Sequence, residues 1–325
     1  MKVRKTIAGL ALAMSVAMFG SICASAANNY VFATGGTTGT YYAYGGVIAQ
    51  VLNAKLDDIQ LSVQSTGASK ANIYLIVDGE AEFATVQNDV MDYAMNGTEL
   101  FEGEGESDGF STVCALYAEV CQIISTADIT DIADLKGKRV SVGDAGSGVE
   151  FNAKQILAAY GIDIEKDIEK NNLSFGDSSD ALKDGKIDAF FCTAGAPTTA
   201  ITELATTNKI NILSVDDEHA GILAKDYPFY TTYSIPGGTY PGIDADAQTV
   251  AVKATLICSS SLDDEVVYNV VKTIFENKDE ITEAHAKGAE LDPAYAVSGI
   301  TVPFHPGAQK YFDEIGVTIT ETEAE

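Results

Sequence analysis

The chain has 325 residues and a formal net charge of −27, from 47 acidic and 20 basic residues. So large an acidic excess excludes nucleic acid and anionic lipid surfaces as partners, because both repel a polyanion. The length is sufficient for two ordinary domains, each with a buried core.

The first 26 residues have the features of an export signal. Basic residues at positions 2, 4 and 5 precede an apolar run, residues 7–19, and Ala24-Ser25-Ala26 matches a cleavage site. The apolar run is too short to span a bilayer as an anchor. We therefore predict export to the periplasm, cleavage near Ala26, and a mature chain that is more acidic still.

From residue 30 onward the sequence repeats a unit made of a strand, a loop of small residues and a helix. Strands of this kind are predicted at residues 30–34, 60–64, 83–86, 139–142 and 187–192. The first leads into a loop rich in glycine and threonine, residues 35–40, and a helix is predicted from about Tyr41 to Ala54. This alternation is typical of parallel α/β sheets.

Two long apolar runs, residues 116–125 and 249–259, are predicted to be strands that cross between two lobes. The fold class is therefore α/β, with two Rossmann-like lobes joined by a hinge. Lobe one is predicted to comprise residues 27–120 and 251–325, and lobe two residues 121–250. Helices near the end of the chain are expected to pack back onto lobe one.

The loops that follow the strands are the candidate site. In parallel α/β sheets, ligands bind beyond the carboxyl ends of the strands, where helix N-termini present free N–H groups. A single loop of this composition is more often a turn or a cap. Several in one chain predict a cleft for a small polar ligand. Tyr41 is expected to face that ligand, and Gln87 either contacts it or only neighbours a helix cap.

Arginine is almost absent, since Arg139 is the only one beyond the export signal. A bound carboxylate would therefore depend on backbone amides, hydroxyls, side-chain amides and lysines rather than on guanidinium groups.

Enzymatic motifs are weak or missing. Gly143-x-x-Gly146-x-Gly148 differs from the dinucleotide fingerprint, and there is neither a P-loop lysine nor a nucleophile elbow. The three histidines, His219, His285 and His305, lie far apart, and no carboxylate pair suggests acid–base work. We predict a protein that is not an enzyme and needs no cofactor or metal.

Four cysteines follow the export signal: Cys114, Cys121, Cys192 and Cys258. An oxidising compartment would allow them to pair. Three of them lie in apolar strand-like runs where a buried free thiol is equally ordinary. No spacing among them indicates zinc.

Taken together, the loop motifs resemble those of the TAXI solute receptors of TRAP transporters. The resemblance rests on Ala33-Thr-Gly-Gly-Thr-Thr-Gly-Thr-Tyr-Tyr42, Ser65-Thr-Gly67, Ala84-Thr-Val-Gln-Asn-Asp89, Asp134-Leu-Lys-Gly-Lys-Arg-Val-Ser-Val-Gly143, Gly146-Ser-Gly148, Ile235-Pro-Gly-Gly-Thr-Tyr-Pro-Gly242 and His305-Pro-Gly-Ala308. It therefore extends over nearly all of the chain that follows the export signal.

The resemblance implies a monomeric, two-lobed periplasmic binding protein, type II-like, that closes on a small organic anion. Glutamate- or glutamine-like amino acids, dicarboxylates and keto acids are the implied ligands, and a TRAP permease driven by an ion gradient is the implied partner. By position, the ligand-binding residues would be Gly36, Thr37, Gly39, Thr40, Tyr41, Thr66, Gly67, Gln87, Ser147, Gly148, Ala194, Gly195 and Pro197.

Two alternatives stay open at this point. The chain could be the binding protein of an ATP-driven transporter or of a sensor kinase. From another class, it could be a secreted α/β enzyme, although the missing nucleophile and base weigh against catalysis.

Overall fold

The computed structural model describes residues 27–319, so the predicted export signal lies outside the described residues. The first part of the chain alternates strands and helices as predicted. These elements are β1 (Asn28–Ala33), α1 (Thr40–Lys55), β2 (Ile59–Gln64), α2 (Ser69–Val77), β3 (Phe83–Gln87) and α3 (Asn88–Asn96). Strand β1 pairs in parallel with both β2 and β3.

A single long strand, β4 (Phe110–Thr126), then leads into the second part. At about 3.3 Å per residue its 17 residues extend over more than about 50 Å, enough to serve both halves of the molecule. The elements that follow are β5 (Arg139–Ser141), α4 (Gly148–Ala159), β6 (Glu169–Asn171), α5 (Phe175–Lys183), β7 (Ala189–Ala194), α6 (Thr199–Thr207), β8 (Ile210–Ile212), α7 (Asp217–Asp226) and β9 (Thr231–Ile235).

The chain returns along a second long strand, β10 (Ala247–Ser259), and ends in helices. These are α8 (Asp264–Glu276), α9 (Lys278–Ala284), α10 (Pro293–Val297) and α11 (Pro306–Glu314). Of the helices between residues 27 and 319, none combines the length and the apolar character that a membrane crossing needs.

The strands described between residues 27 and 319 belong to one sheet in the order β2-β1-β3-β10-β4-β7-β5-β6, with β8 on β4 and β9 on β10. The prediction of parallel pairing is confirmed for the outer strands of both halves. The repeated units carry no prediction for the direction of the two long strands, and β10 is antiparallel to both β3 and β4. The chain leaves the first half along β4 and returns along β10, so these neighbours run in opposite directions.

Buried side chains form cores on both halves of the sheet. In the first half, Ile48 of α1 and Phe83 of β3 share a core with Val270 of α8 and Phe312 of α11. In the second half, Ile123 of β4 packs with Leu157 of α4 and their neighbours. The helices at the end of the chain thus pack on the first half. The lobe boundaries at residues 120/121 and 250/251 stay a prediction.

The four cysteines between residues 27 and 319 are free and buried. Burial raises the pKa of each thiol above its ordinary value, so the thiolate is strongly disfavoured. These residues act as small apolar side chains within the cores.

One buried amide joins the ends of two strands that carry site loops. Asn72, fully buried on α2, donates from Nδ2 to the carbonyl oxygen of Thr34 at 2.6 Å and of Thr85 at 2.8 Å. Its Oδ1 lies 2.6 Å from the donating hydroxyl of Thr66. The side chain of Asn72 therefore contacts the chain after each of β1, β2 and β3.

We expect Asn72→Ala to lower the free energy of unfolding by about 2 kcal/mol, because the carbonyl groups of Thr34 and Thr85 each lose one donor and the buried side chain leaves a cavity. Urea unfolding followed by circular dichroism measures the change. The control is Gln50→Ala on the exposed side of α1, where an effect within about 0.5 kcal/mol is expected. Equal effects of the two substitutions would contradict this role of Asn72.

Candidate functional site

A pocket lies where the loops of the two halves face each other, beyond the carboxyl ends of β1, β3 and β7. Its volume, counted to include the part that opens to solvent, is about 520 Å³. It is lined by Gly35, Gly36, Gly39, Thr40, Tyr41, Ala68, Ser69, Gln87, Glu119, Asp144, Ser147, Gly148, Val149, Phe175, Thr193 and Ala194.

The structure brings most of the predicted site residues together along this pocket. Those that line it are Gly36, Gly39, Thr40, Tyr41, Gln87, Ser147, Gly148 and Ala194. The others lie outside the lining: Thr37, Gly67 and Pro197 are exposed, Thr66 supports Asn72, and Gly195 is buried behind Thr40. That any of these residues contacts a ligand stays a prediction.

The loop after β1 begins helix α1 without a side-chain cap. Gly39 occupies the N-cap position in an extended conformation, and its N–H donates to the carbonyl oxygen of Gly36 at 2.9 Å. Because glycine has no side chain to cap the helix, the first N–H groups of α1 are available to an external acceptor. The Thr40 hydroxyl donates to the carbonyl oxygen of Gly195 at 3.0 Å, which joins this loop to the other half.

Helix α4 begins on the opposite wall of the pocket. Ser147 caps it, because its Oγ accepts from the N–H of Glu150 at 3.2 Å. Gly148 must be small, since a Cβ added there would lie 1.5 Å from Oε1 of Gln87. The side chain of Gln87, at the end of β3, therefore packs directly against the start of α4.

A tyrosine and a carboxyl group meet within the pocket wall. The Tyr41 hydroxyl donates to Oε2 of Glu119 at 2.5 Å, and both side chains are buried. Burial raises the pKa of Glu119 well above its ordinary value, and the nearby carboxyl of Asp89 adds to the rise. The pKa of Tyr41 is raised well above its ordinary value by burial and by Glu119. The phenol therefore remains the donor of this hydrogen bond.

Sequence reasoning missed Glu119. It lies inside a long apolar strand, and the only available signal is an acidic residue at a position where the strand is otherwise buried. Phe175 and Asp144 were missed for a different reason, because single residues in loop-like stretches carry no pattern.

A buried amide network connects the two halves beneath the pocket. Asn152 of α4 accepts from Nε2 of Gln87 at 2.7 Å and donates to Oδ2 of Asp89 at 3.1 Å. It also donates to the Tyr230 hydroxyl at 2.8 Å, which in turn donates to Oε1 of Gln155 at 2.5 Å. Because every one of these side chains is buried, each hydrogen bond restricts the position of the next.

The pocket contains carboxyl groups without cations. Glu119 and Asp144 line it, whereas its lining includes no lysine, arginine or histidine. Arg139 is engaged elsewhere, in an ion pair with Asp188 at 2.6 Å. Lys287 lies behind Gly195 and pairs with Glu290 at 2.5 Å. The pKa of Asp144 is raised by partial burial and by Asp177.

Comparisons with known proteins agree with this architecture. The model of the NMT1-like family matches residues 32–316. Among solved structures, a Bordetella bronchiseptica protein is 17% identical with a TM-score of 0.52, over 91% of this chain and 85% of that one. The alkanesulfonate-binding protein SsuA from Xanthomonas axonopodis, bound to MOPS, is 14% identical with a TM-score of 0.50, over 88% and 83%.

A third similar structure comes from Streptococcus mutans and concerns glutathione import through GshT and a cystine ABC importer. It is 12% identical with a TM-score of 0.52, over 86% of this chain and 99% of that one. At these identities the similarity concerns the fold. The predicted two-lobed α/β fold of periplasmic binding proteins is confirmed.

We expect Gly148→Ala to lower the free energy of unfolding by about 1–3 kcal/mol, because the added methyl group displaces the buried amide of Gln87. Urea unfolding measures this change. Gly46→Ala is the matched control, since a Cβ at Gly46 has no neighbour within 4 Å. No difference between the two substitutions would contradict the close packing of β3 against α4.

We expect the carboxyl of Asp89 to make stability depend on pH. Burial raises its pKa to about 7, so between about pH 4 and 7 the folded state holds a proton that the unfolded state releases. The wild type then loses stability as the pH rises through this range. The difference in free energy of unfolding between Asp89→Asn and the wild type is therefore expected to shift in favour of the variant by at least about 1 kcal/mol from pH 4 to pH 7. Urea unfolding of both proteins at several pH values measures this difference, and a constant difference would contradict the prediction.

Proposed function

The chain belongs to the NMT1-like family, and on this premise we propose that it is an extracytoplasmic receptor that binds a small organic solute and delivers it to a membrane transporter. The observation that carries this proposal is the pocket between the two halves of the sheet, lined by loops from both. Binding between two lobes suits capture by closure around a hinge. The closed form would then be the one that the transporter recognises.

The proposed ligand carries a carboxylate. The uncapped start of α1 and the start of α4 lie on opposite walls of the pocket. Helix N-termini bind anions through free N–H groups and a favourable dipole, without a cationic side chain. The scarcity of arginine agrees with this arrangement. The predicted ligand-binding residues along the pocket would supply these contacts, and no step of catalysis is assigned to them.

Two kinds of transporter are candidates. An ATP-driven importer is favoured by the fold comparison, because the similar structure from Streptococcus mutans is described together with a cystine ABC importer. A TRAP permease is favoured by the loop motifs, which resemble TAXI receptors. Uptake of a labelled ligand by cells that express this chain separates the two. An ATP-driven importer stops when ATP is depleted at constant ion gradient, and a TRAP permease stops when an ionophore collapses that gradient.

We expect thermal-shift screening of the mature protein to find a carboxylate ligand. The compounds are L-glutamate, L-glutamine, 2-oxoglutarate, succinate and aliphatic keto acids. A ligand at a hundred times its Kd adds about 2.7 kcal/mol of stability and so raises Tm. Stabilisation by a neutral sugar or a metal ion alone would contradict the proposal.

Gly39→Val tests whether that ligand occupies the pocket. The added side chain would project towards Phe175, whose Cδ2 lies 3.4 Å from a Cβ at this position. The backbone at Gly39 has φ −96°, which valine adopts without strain. Affinity is expected to fall at least tenfold with the fold intact, whereas Gly46→Val binds as the wild type does. Unfolding of the Gly39 variant would mean that the loop is structural.

A further inference from the structure

We propose that Glu119 and Gln87 together bind a protonated amine, so that the solute of this pocket carries an ammonium group as well as a carboxylate. This inference rests on the proposed function and names the chemistry of its ligand. It starts from two hydrogen-bond acceptors in the pocket wall that the protein itself leaves unused.

The first acceptor is Oε1 of Glu119. The other oxygen, Oε2, receives the hydrogen bond from Tyr41, but Oε1 accepts none from any residue between 27 and 319. The side chain is 3% exposed and lines the pocket. No cationic residue lines the pocket, and burial raises the pKa of this carboxyl group well above its ordinary value, which favours the protonated form in the ligand-free protein. A bound ammonium would favour the carboxylate instead, because the two opposite charges stabilise each other at a buried position.

The second acceptor is Oε1 of Gln87, a buried side chain with 1% exposure. This oxygen has no hydrogen-bond partner within the described part of the chain. Its orientation follows from its neighbours. Asn152 directs its Nδ2 to Asp89 and Tyr230, so its Oδ1 faces Gln87 and requires a donor there. Gln87 must therefore present Nε2 to Asn152, which leaves Oε1 as the group that needs a donor.

Strand register places both acceptors on one face of the sheet. Gln87 of β3 and Tyr117 of β4 both lie opposite Ala254 of β10. Glu119 is two residues beyond Tyr117, so it projects to the same face as Gln87. Two strand spacings separate β3 from β4, about 10 Å. An ammonium has three donors and can bond to several acceptors that converge on it.

A ligand with a second carboxylate in place of the amine fits these groups poorly. It would place a negative charge beside Glu119 and Asp144 and leave Gln87 Oε1 without a donor. An unpartnered buried acceptor costs about 1–3 kcal/mol. The competing arrangement has Glu119 protonated and donating to an anion, and the substitution below distinguishes it.

Pairs of compounds with the same carbon skeleton test the inference: L-glutamate with 2-oxoglutarate, L-leucine with 4-methyl-2-oxopentanoate, and L-alanine with pyruvate. Calorimetric titration of the mature protein is expected to show the amino member of the binding pair at least a hundredfold tighter than its keto partner. Equal or tighter binding of the keto member would overturn the inference and leave the proposed function intact. Binding of no compound would contradict both.

Glu119→Gln then identifies the residue. We expect at least a hundredfold loss of affinity for the amino compound, because the amide keeps the shape of the side chain and loses the charge. Asp92→Asn is the matched control, because it alters a buried carboxyl group of α3 that does not line the pocket. Its affinity for the amino compound is expected to equal that of the wild type. Full affinity of Glu119→Gln, with similar Tm values for all unliganded proteins, would overturn the inference in favour of a protonated Glu119.

Discussion

The antiparallel pairing of β4 with β10 is the interaction on which the rest of the molecule depends. The two strands pair from Phe110 opposite Ser259 to Val120 opposite Ala251. Beyond that point each takes other partners: β4 continues on β7 and β8, and β10 on β9. The ladder that β4 and β10 share thus belongs to the first half of the molecule. The two strands separate as they enter the second half. The pocket lies beside this divergence.

This position explains why a carboxyl group is found in so apolar a strand. Glu119 is the second-last residue of β4 in the shared ladder, opposite Val252. A side chain at the end of the ladder reaches the space that opens between the halves, whereas those nearer the middle of the strand must pack in a core. Tyr41 comes from the other side of that space, at the first turn of α1. The site therefore joins a residue of the central strand with the loops at the strand ends.

The sequence predicted much of this arrangement, because strand and loop patterns are local. The strands and loops of the first half, the two long strands and the helices at the chain end were found from apolar periodicity and small residues. The antiparallel direction of β10 was not predicted, because pairing direction depends on the path of the whole chain. Glu119 was missed because its importance comes from neighbours distant in sequence, Tyr41 among them. The failure of Thr37 and Gly67 to line the pocket has a similar cause, since a motif does not specify which of its residues turns outward.

The hydrogen bond between Gln87 and Asn152 ties the chemistry of the pocket to the arrangement of the two halves. Gln87 belongs to β3 in the first half and Asn152 to α4 in the second. Any motion that separates α4 from β3 removes the partner that orients the amide of Gln87. The amide can then rotate and exchange its donor and acceptor ends. If the two halves open as proposed, the group that Gln87 presents to an arriving solute is therefore not fixed until the halves come together.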